Sequence, residues 1–514
     1  MARLRAIVGA STASLLETAR ASVKLPAGRF GAWVQVAAIL KSQHGCVGGA
    51  VHACRVEQSD GTFWQIDTPE RRTSGQLLAG GDERPILVTD KAIFAERKFS
   101  VSRLASGHPL VTRSSDPEDL VADFQPRTIH GELADGTPVT LVHAQGDTRR
   151  LEFLRDPSEA SQQFRARYAL SGDLVTADQT YRAVRFQVVG PSWWDAAEDV
   201  AQTADGGLLR TYCGGQGERW IEFTNSDPMT FDHFDSGVIN AVTTITQLAT
   251  KDDAAAVGLQ VQLVADGPWR DVHRGRESVA EPSHILLDTR YLTAKRFATW
   301  IDFRSETQGL DAAVVDSLQG ATLEAQVLTL VAVAEGLHRR LFRDKNRRVT
   351  SLSDSKIKKM CRRARNAALP EMDGPDFTDE DRAEFSKAVT EAFGHINDQT
   401  FRSRMADLIA DARLSIPNIV AGFADWPDAV STARNLMAHQ PSLPDHVDDR
   451  QFLDLLIALS YSITWVLRTN LLNRAGFDAA TLQEGYGYSS SYGHHLANTR
   501  ELLAGGPWVV DESR

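Results

Sequence analysis

The spacing of apolar and polar positions changes character part-way along the chain. Up to about residue 310 the signals are short and strand-like. Thr128–Val142 holds two β-prone runs around Asp135-Gly136, a pair suited to a tight turn, which predicts a hairpin. In Tyr181–Gly190 the apolar Val184, Phe186 and Val188 alternate with Arg185 and Gln187, the period of a half-buried strand. Asp227-Pro-Met-Thr-Phe-Asp232 then reads as a capping segment before a helix over Val238–Thr250, with Asp232 and Ser236 as helix caps. Val261–Ala265 and Ile285–Leu287 read as further strands.

Beyond about residue 310 a helical period takes over. Leu323, Val327, Leu330, Ala334, Leu337 and Leu341 step by three and four and predict one apolar helix face. Thr378-x-x-Asp381 is a capping-box pattern that starts a helix over Asp379–Ile396. Helices follow over Phe401–Leu414 and Trp426–His439, the latter stopped by Pro441 and Pro444. Phe452 to Leu471 mark a long one ending before Gly476. The fold class is therefore α+β. A weakly specified leader spans 1–45, a β-rich N-terminal domain 46–310 and an all-helical domain 311–510. The Tyr486–Tyr492 segment, with His494 and His495, reads as a polar aromatic loop that could stack unpaired bases.

Composition narrows the class. Of 514 residues, 42% are hydrophobic and 24% charged, which excludes a disordered or fibrous chain. No uninterrupted apolar run approaches the ~18–20 residues of a membrane span, so no membrane partner is expected. Four cysteines are too few for a disulfide scaffold and point to a reducing cytoplasm. The net charge of −11 argues against nucleic acid, but it is an average. Arg339, Arg340, Arg343, Lys345, Arg347, Arg348, Lys356, Lys358, Lys359, Arg362, Arg363 and Arg365 face only Asp344 and Asp354. Residues 339–365 thus carry +10, and the other 487 residues −21. Such a block is the footprint of a phosphate-binding surface for nucleic acid, although cations at a helix C-terminus are also stabilising without any ligand.

The candidate chemistry is Arg434-Asn-Leu-Met-Ala-His439. With 45 Arg and 14 His, chance alone supplies about one Arg-x4-His, and Arg103–His108 is a second match. The Asn after Arg434 and the position at a helix end set 434–439 apart. Asn435 and His439 are four apart and share a helix face, so Asn435 can orient the imidazole. A helix C-terminus favours imidazolium and holds a histidine near neutrality. His439 is then suited to moving the proton of a ribose 2′-hydroxyl, and Arg434 to neutralising the charge that develops on phosphate. No cofactor and no metal are required. His44, Cys46, His52 and Cys54 have the count but not the spacing of structural zinc, and no P-loop, serine elbow or His-Glu-x-x-His is present.

These residues resemble the HEPN superfamily of helical ribonuclease domains, whose signature is Arg-x(4–6)-His. More specifically the chain is similar to the ApeA family of anti-phage, abortive-infection proteins. Gly131-Glu-Leu-Ala-Asp-Gly136 resembles a hairpin of the family's N-terminal domain. Pro228-Met-Thr-Phe-Asp-His-Phe234 with Ile245-Thr-Gln-Leu-Ala-Thr250 resembles its helical segment. Ala334–Phe342, with Glu335 and His338, resembles the first HEPN helix. The likeness covers roughly residues 125–475. It implies a metal-independent endoribonuclease, acting on RNA and on transfer RNA in particular, dimeric through the HEPN domain and released by a phage-derived trigger. Pro441 stands where adenylylated HEPN toxins carry tyrosine, so that form of control is not implied. The alternative is a non-catalytic RNA-binding or scaffold protein with a HEPN fold.

Overall fold

The computed structural model describes residues 57–81, 83–93, 99–103, 106–107, 109–113, 125–146, 161–189, 198–215, 217–251, 253–275, 285–315, 322–374, 376–439 and 448–509. All of these lie in one compact unit, Cys54–Arg514. The leader and the His44, Cys46, His52, Cys54 cluster lie outside the described residues.

Fifteen strands form among the described residues. They are β1 (Glu57–Gln65), β2 (Thr73–Ala79), β3 (Ile86–Thr89), β4 (Phe99–Arg103), β5 (Pro109–Arg113), β6 (Arg127–Leu133), β7 (Pro138–Gly146) and β8 (Gln162–Arg165). Then follow β9 (Tyr168–Ser171), β10 (Thr180–Val189), β11 (Asp199–Gln202), β12 (Leu208–Cys213), β13 (Arg219–Thr230), β14 (Ala255–Gln262) and β15 (Trp269–His273). The β6–β7 hairpin turns at Asp135-Gly136 as expected. Gly136 has φ 84° and the Asp135 carboxylate accepts from Thr137 N at 2.9 Å.

Strand β7 decides the architecture. One edge pairs with β6, while the other pairs first with β9 and then, past His143 at φ 51°, with β8. Because β8 also pairs with β3, the strands β1, β2, β3, β8, β7 and β6 close into a small barrel. Its interior is filled by Phe63, Leu87, Ile129, Val139, Leu141 and Phe164. Gly131 has a structural reason: it sits opposite Phe63, whose ring crosses the place where a Cβ would stand. From β9 the sheet continues through β15, β14, β10, β13, β12 and β11. Val184 and Phe186 of β10 point into the core while Arg185 and Gln187 stay on the half-buried outer face, as the alternation predicts.

Among the described residues there are ten longer helices: α1 (Asn240–Thr250), which lies between β13 and β14 in the chain, then α2 (Ala294–Thr307), α3 (Leu323–Leu341), α4 (Asp354–Ala368) and α5 (Asp379–Gly394). They continue as α6 (Phe401–Ser415), α7 (Trp426–His439), α8 (Asp449–Arg474), α9 (Ala479–Tyr488) and α10 (Ser490–Leu503). Four of the predicted apolar positions of α3 (Val327, Leu330, Ala334, Leu337) are buried. The capping box at Thr378 and Asp381 is formed in both directions. Helix α8 is the central rod and touches α3, α6, α7 and α10. By length and hydropathy it is apolar enough to cross a membrane, although Ser460, Ser462, Thr464 and Arg468 interrupt every apolar run within it. In the fold 83% of that apolar window is buried, so the bundle core uses it. One apolar cluster runs from the sheet (Phe186, Phe223) through α1 and α2 (Ile245, Phe297) into the bundle (Leu337, Leu408, Leu459).

Four local expectations change. The strand expected at Val261–Ala265 ends at Gln262 and begins at Ala255. Ile285–Leu287 is no strand: Leu286 N and Leu287 N donate to Thr250 O and Ala249 O and close the C-terminus of α1. Asp232 and Ser236 cap nothing, because the helical segment already starts at Phe231. Asp232 pairs with Arg167 and Ser236 bonds back to Asp232 O. The Tyr486–Tyr492 segment is helical rather than a loop. Tyr486 and Tyr492 are buried around Trp465 at ring separations of 5.1 Å, so neither can stack a base.

Candidate nuclease site

Helix α7 forms because Asp425 caps it, Pro427 sits in the first turn where no donor is needed, and its apolar residues fall on one side. Asp425 Oδ1 accepts from Asp428 N at 2.9 Å. Trp426, Ala429, Val430, Ala433 and Leu436 are buried. The Trp426 indole donates to Ser462 Oγ on α8 at 2.9 Å, which fixes the rotation of the helix. Arg402 ties the start of α6 to the start of α7 through Asp425 and Asp428.

With that rotation set, the three motif residues are placed as follows. Arg434 is half-buried and its guanidinium lies over the Phe401 ring, 4.9 Å from the centroid. Among the described residues its side chain meets no carboxylate and makes no hydrogen bond. Asn435 is exposed and makes no hydrogen bond among the described residues. His439 is the last residue of α7; its side chain lies outside the described residues. Phe401, the first residue of α6, was not singled out from the sequence. Only tertiary packing brings it beneath Arg434.

A polar cluster lies between α3 and α6. His338 is fully buried, stacks on Phe342 at 5.0 Å and contacts Asp407 Oδ2 through Nε2 at 3.1 Å. Burial holds its pKa below the ordinary histidine value, and the hydrogen bond and charge of Asp407 only partly oppose this. Burial raises the Asp407 carboxyl, but hydrogen bonds from Gln399, His338 and Lys345 outweigh it and the net shift is downward. The pair is therefore neutral imidazole with ionised carboxylate: Nε2–H donates to Asp407, and Nδ1 is buried with no partner among the described residues. Buried Arg404 donates to Gln399 O and Asn346 Oδ1, both at 3.2 Å, and braces the loop that leads into Phe401.

The basic block separates into two groups. Arg339 pairs with Glu335 at 2.9 Å, Lys345 with Asp407 at 3.2 Å and Arg347 with Asp354 at 2.6 Å. Arg340 is held by Gly336 O and Gln308, and Arg348 by Asp398 O. These five side chains build the scaffold. Arg343, Lys356, Lys358, Lys359, Arg362 and Arg363 are exposed and have no carboxylate partner among the described residues. Helix α4 carries five of these six and buries no residue; with α5 it forms an outlying hairpin. A cavity of about 440 Å³ opens between them. Among the described residues no group of three or more His, Cys, Asp or Glu could hold a metal ion.

The N-terminal half matches the model of ApeA N-terminal domain 1 over residues 58–262, and the helical half matches Apea-like HEPN over residues 328–481. The chain is an ApeA-like protein with a C-terminal HEPN domain. The N-terminal match begins well before residue 125, so the likeness reaches further back than the motifs suggested and takes in the barrel. No curated protein and no solved structure matches the chain. At the family level this places the ApeA-like chain with HEPN-type nucleases of anti-phage defence.

Proposed function

We propose that the chain is a metal-independent endoribonuclease that cleaves RNA, with transfer RNA as its target, during abortive infection in the cytoplasm. The observation that carries the proposal is Arg434: a half-buried guanidinium aligned by Phe401, free of any described carboxylate, on the same helix as His439 and within the HEPN domain. In this reading His439 takes the 2′-hydroxyl proton, the 2′-oxygen attacks the adjacent phosphorus, and the bond to the 5′-oxygen breaks. The proton returns to that leaving oxygen. The products are a 2′,3′-cyclic phosphate and a 5′-hydroxyl end. Arg434 binds the phosphoryl oxygens as charge builds on them, and Asn435 orients the imidazole. DNA, lacking the 2′-hydroxyl, is not cut.

Arg434 and His439 are five residues apart, which turns them ~140° around the helix and separates them by ~7.5 Å along it. A second copy supplying the facing pair completes the site, so the active species is a homodimer through the HEPN domain. A phage-derived trigger relieves restraint by the N-terminal domain. The test is purified full-length chain incubated with total RNA in EDTA. Wild type cuts, and Arg434→Ala and His439→Ala do not. Cleavage that persists in His439→Ala refutes the site. Salt-sensitive RNA binding with no product under phage challenge, and equal phage protection by all three proteins, supports the non-catalytic scaffold instead.

A further inference from the structure

The α4–α5 hairpin packs too thinly to bury a residue, yet its root is tied down with care. Arg348 N donates to Asn397 O at 2.8 Å, Val349 N donates to Asn397 Oδ1 at 2.9 Å, and Asn397 Nδ2 donates back to Val349 O at 3.1 Å. These bonds join the segment before α4 to the segment after α5, and the cavity of about 440 Å³ is lined from both sides of that junction. That volume falls in the ~300–1,000 Å³ range of small-ligand sites.

Its lining is unbalanced in charge. Lys358, Arg362 and Arg365 lie at i, i+4 and i+7, one face of α4, and that face lines the cavity. None has a carboxylate partner among the described residues. The Arg365 Nε is buried and donates to nothing among the described residues, while its Nη2 donates to the neighbouring Asn366 Oδ1 at 3.5 Å. The two acidic residues present are already engaged, Asp354 by Arg347 at 2.6 Å and Asp398 by His395 at 3.0 Å. Ile357 adds an apolar patch beside the cations. Lys356 and Arg363 point to the opposite side of the helix by its 3.6-residue period, and Lys359 to its flank.

We propose that this cavity binds the phosphate chain of a nucleotide carrying two or more terminal phosphates, with Lys358, Arg362 and Arg365 as the phosphate ligands and Ile357 against the nucleoside. The proposal rests on the phosphate-binding reading of the basic block but not on Arg434 or His439. A concave site with three convergent cations and an apolar wall suits a compact polyanion, whereas a continuous strand would be followed by the open row on the other side of α4. The same chemistry is offered by a free nucleoside triphosphate and by a 5′-triphosphorylated RNA end.

The experiment uses the full-length chain at fixed salt, with ATP and with one short RNA bearing either a 5′-triphosphate or a 5′-hydroxyl. Calorimetry and fluorescence anisotropy give the affinities of wild type, Arg362→Ala/Arg365→Ala and Lys356→Ala/Arg363→Ala. The expected result is that the cavity pair weakens phosphate-dependent binding by about tenfold or more, while the opposite-face pair leaves it unchanged. Binding of ATP, with both RNA ends alike, assigns the free nucleotide as the source; preference for the triphosphorylated RNA without ATP binding assigns the RNA end. Loss of 5′-hydroxyl RNA binding only in the opposite-face pair, with no effect of any terminal phosphate, overturns the cavity and keeps the block. No effect of either pair overturns both. Because Arg365 is half-buried, Arg362→Glu at its exposed position repeats the test without risk to folding, and an unchanged affinity there also overturns the proposal.

Discussion

Replacing Arg468 by alanine should separate the interests of the two halves of the fold. Arg468 stands on α8, is buried, and its Nη1 donates to Gln247 O at 2.8 Å and Leu248 O at 2.6 Å at the end of α1. No carboxylate faces it among the described residues; the negative end of α1 is its counter-charge. Burial pushes its pKa down to about 10. That drop from the ordinary value near 12.5 corresponds to roughly 3 kcal/mol spent on desolvation. Each charged hydrogen bond contributes roughly 1.5–3 kcal/mol. Truncation also removes the only donor to Leu248 O among the described residues, whereas Gln247 O keeps Lys251 N at 2.9 Å. An unsatisfied buried carbonyl costs about 1–3 kcal/mol. The net expectation for Arg468→Ala is a loss of about 2–4 kcal/mol. Arg468→Met keeps the aliphatic packing and sheds the buried charge, so it should cost roughly 1 kcal/mol less than alanine. Urea unfolding followed by tryptophan fluorescence measures both. A loss below about 1 kcal/mol for alanine, or methionine no better than alanine, would refute this account of how α8 holds α1.

Three further outcomes are expected. Phe401→Leu leaves the fold intact and weakens RNA cleavage several-fold, against a loss of roughly 100-fold or more for Arg434→Ala; equal losses would mean that Phe401 does more than align the guanidinium. Burial pushes the His495 pKa down to about 4, so the folded state favours neutral imidazole. Its contribution to stability is complete above pH ~6.5 and is lost as pH falls toward ~4, by up to about 3 kcal/mol. His338, shifted the same way, adds to that slope, and His495→Phe should flatten part of it; an unchanged dependence of the urea midpoint on pH would count against the assignment. Trp426→Phe loses the bond to Ser462 and should cost about 1 kcal/mol in thermal unfolding, with no loss giving that bond no role in setting the rotation of α7.

Helices α3, α5, α6, α7 and α8 were legible in the sequence because their signals are local, whereas α2, α9 and α10 were not foreseen. A 3.6-residue period, a capping box at Thr378 and prolines after His439 act over a few residues, and each was formed or placed as expected where described. The β6–β7 hairpin was legible for the same reason. Errors arose where a distant partner decided the outcome. Leu286 and Leu287 look like a strand but meet the open end of α1. Tyr486 and Tyr492 sit in a polar-looking stretch but are drawn inside by Trp465.

The basic block shows the division most clearly. Composition could locate a +10 segment, but not say which charges were spent. Only the folded chain pairs Arg339, Lys345 and Arg347 with carboxylates and leaves Lys358, Arg362 and Arg365 converging on a cavity. Likewise the sequence by itself determined the helix that carries Arg434 and His439, since periodicity and capping are properties of neighbours. The tertiary structure decided what Arg434 rests on, how the barrel closes through β8, and how Arg468 joins α8 to α1. Those contacts link residues far apart in the chain, and no local pattern records them.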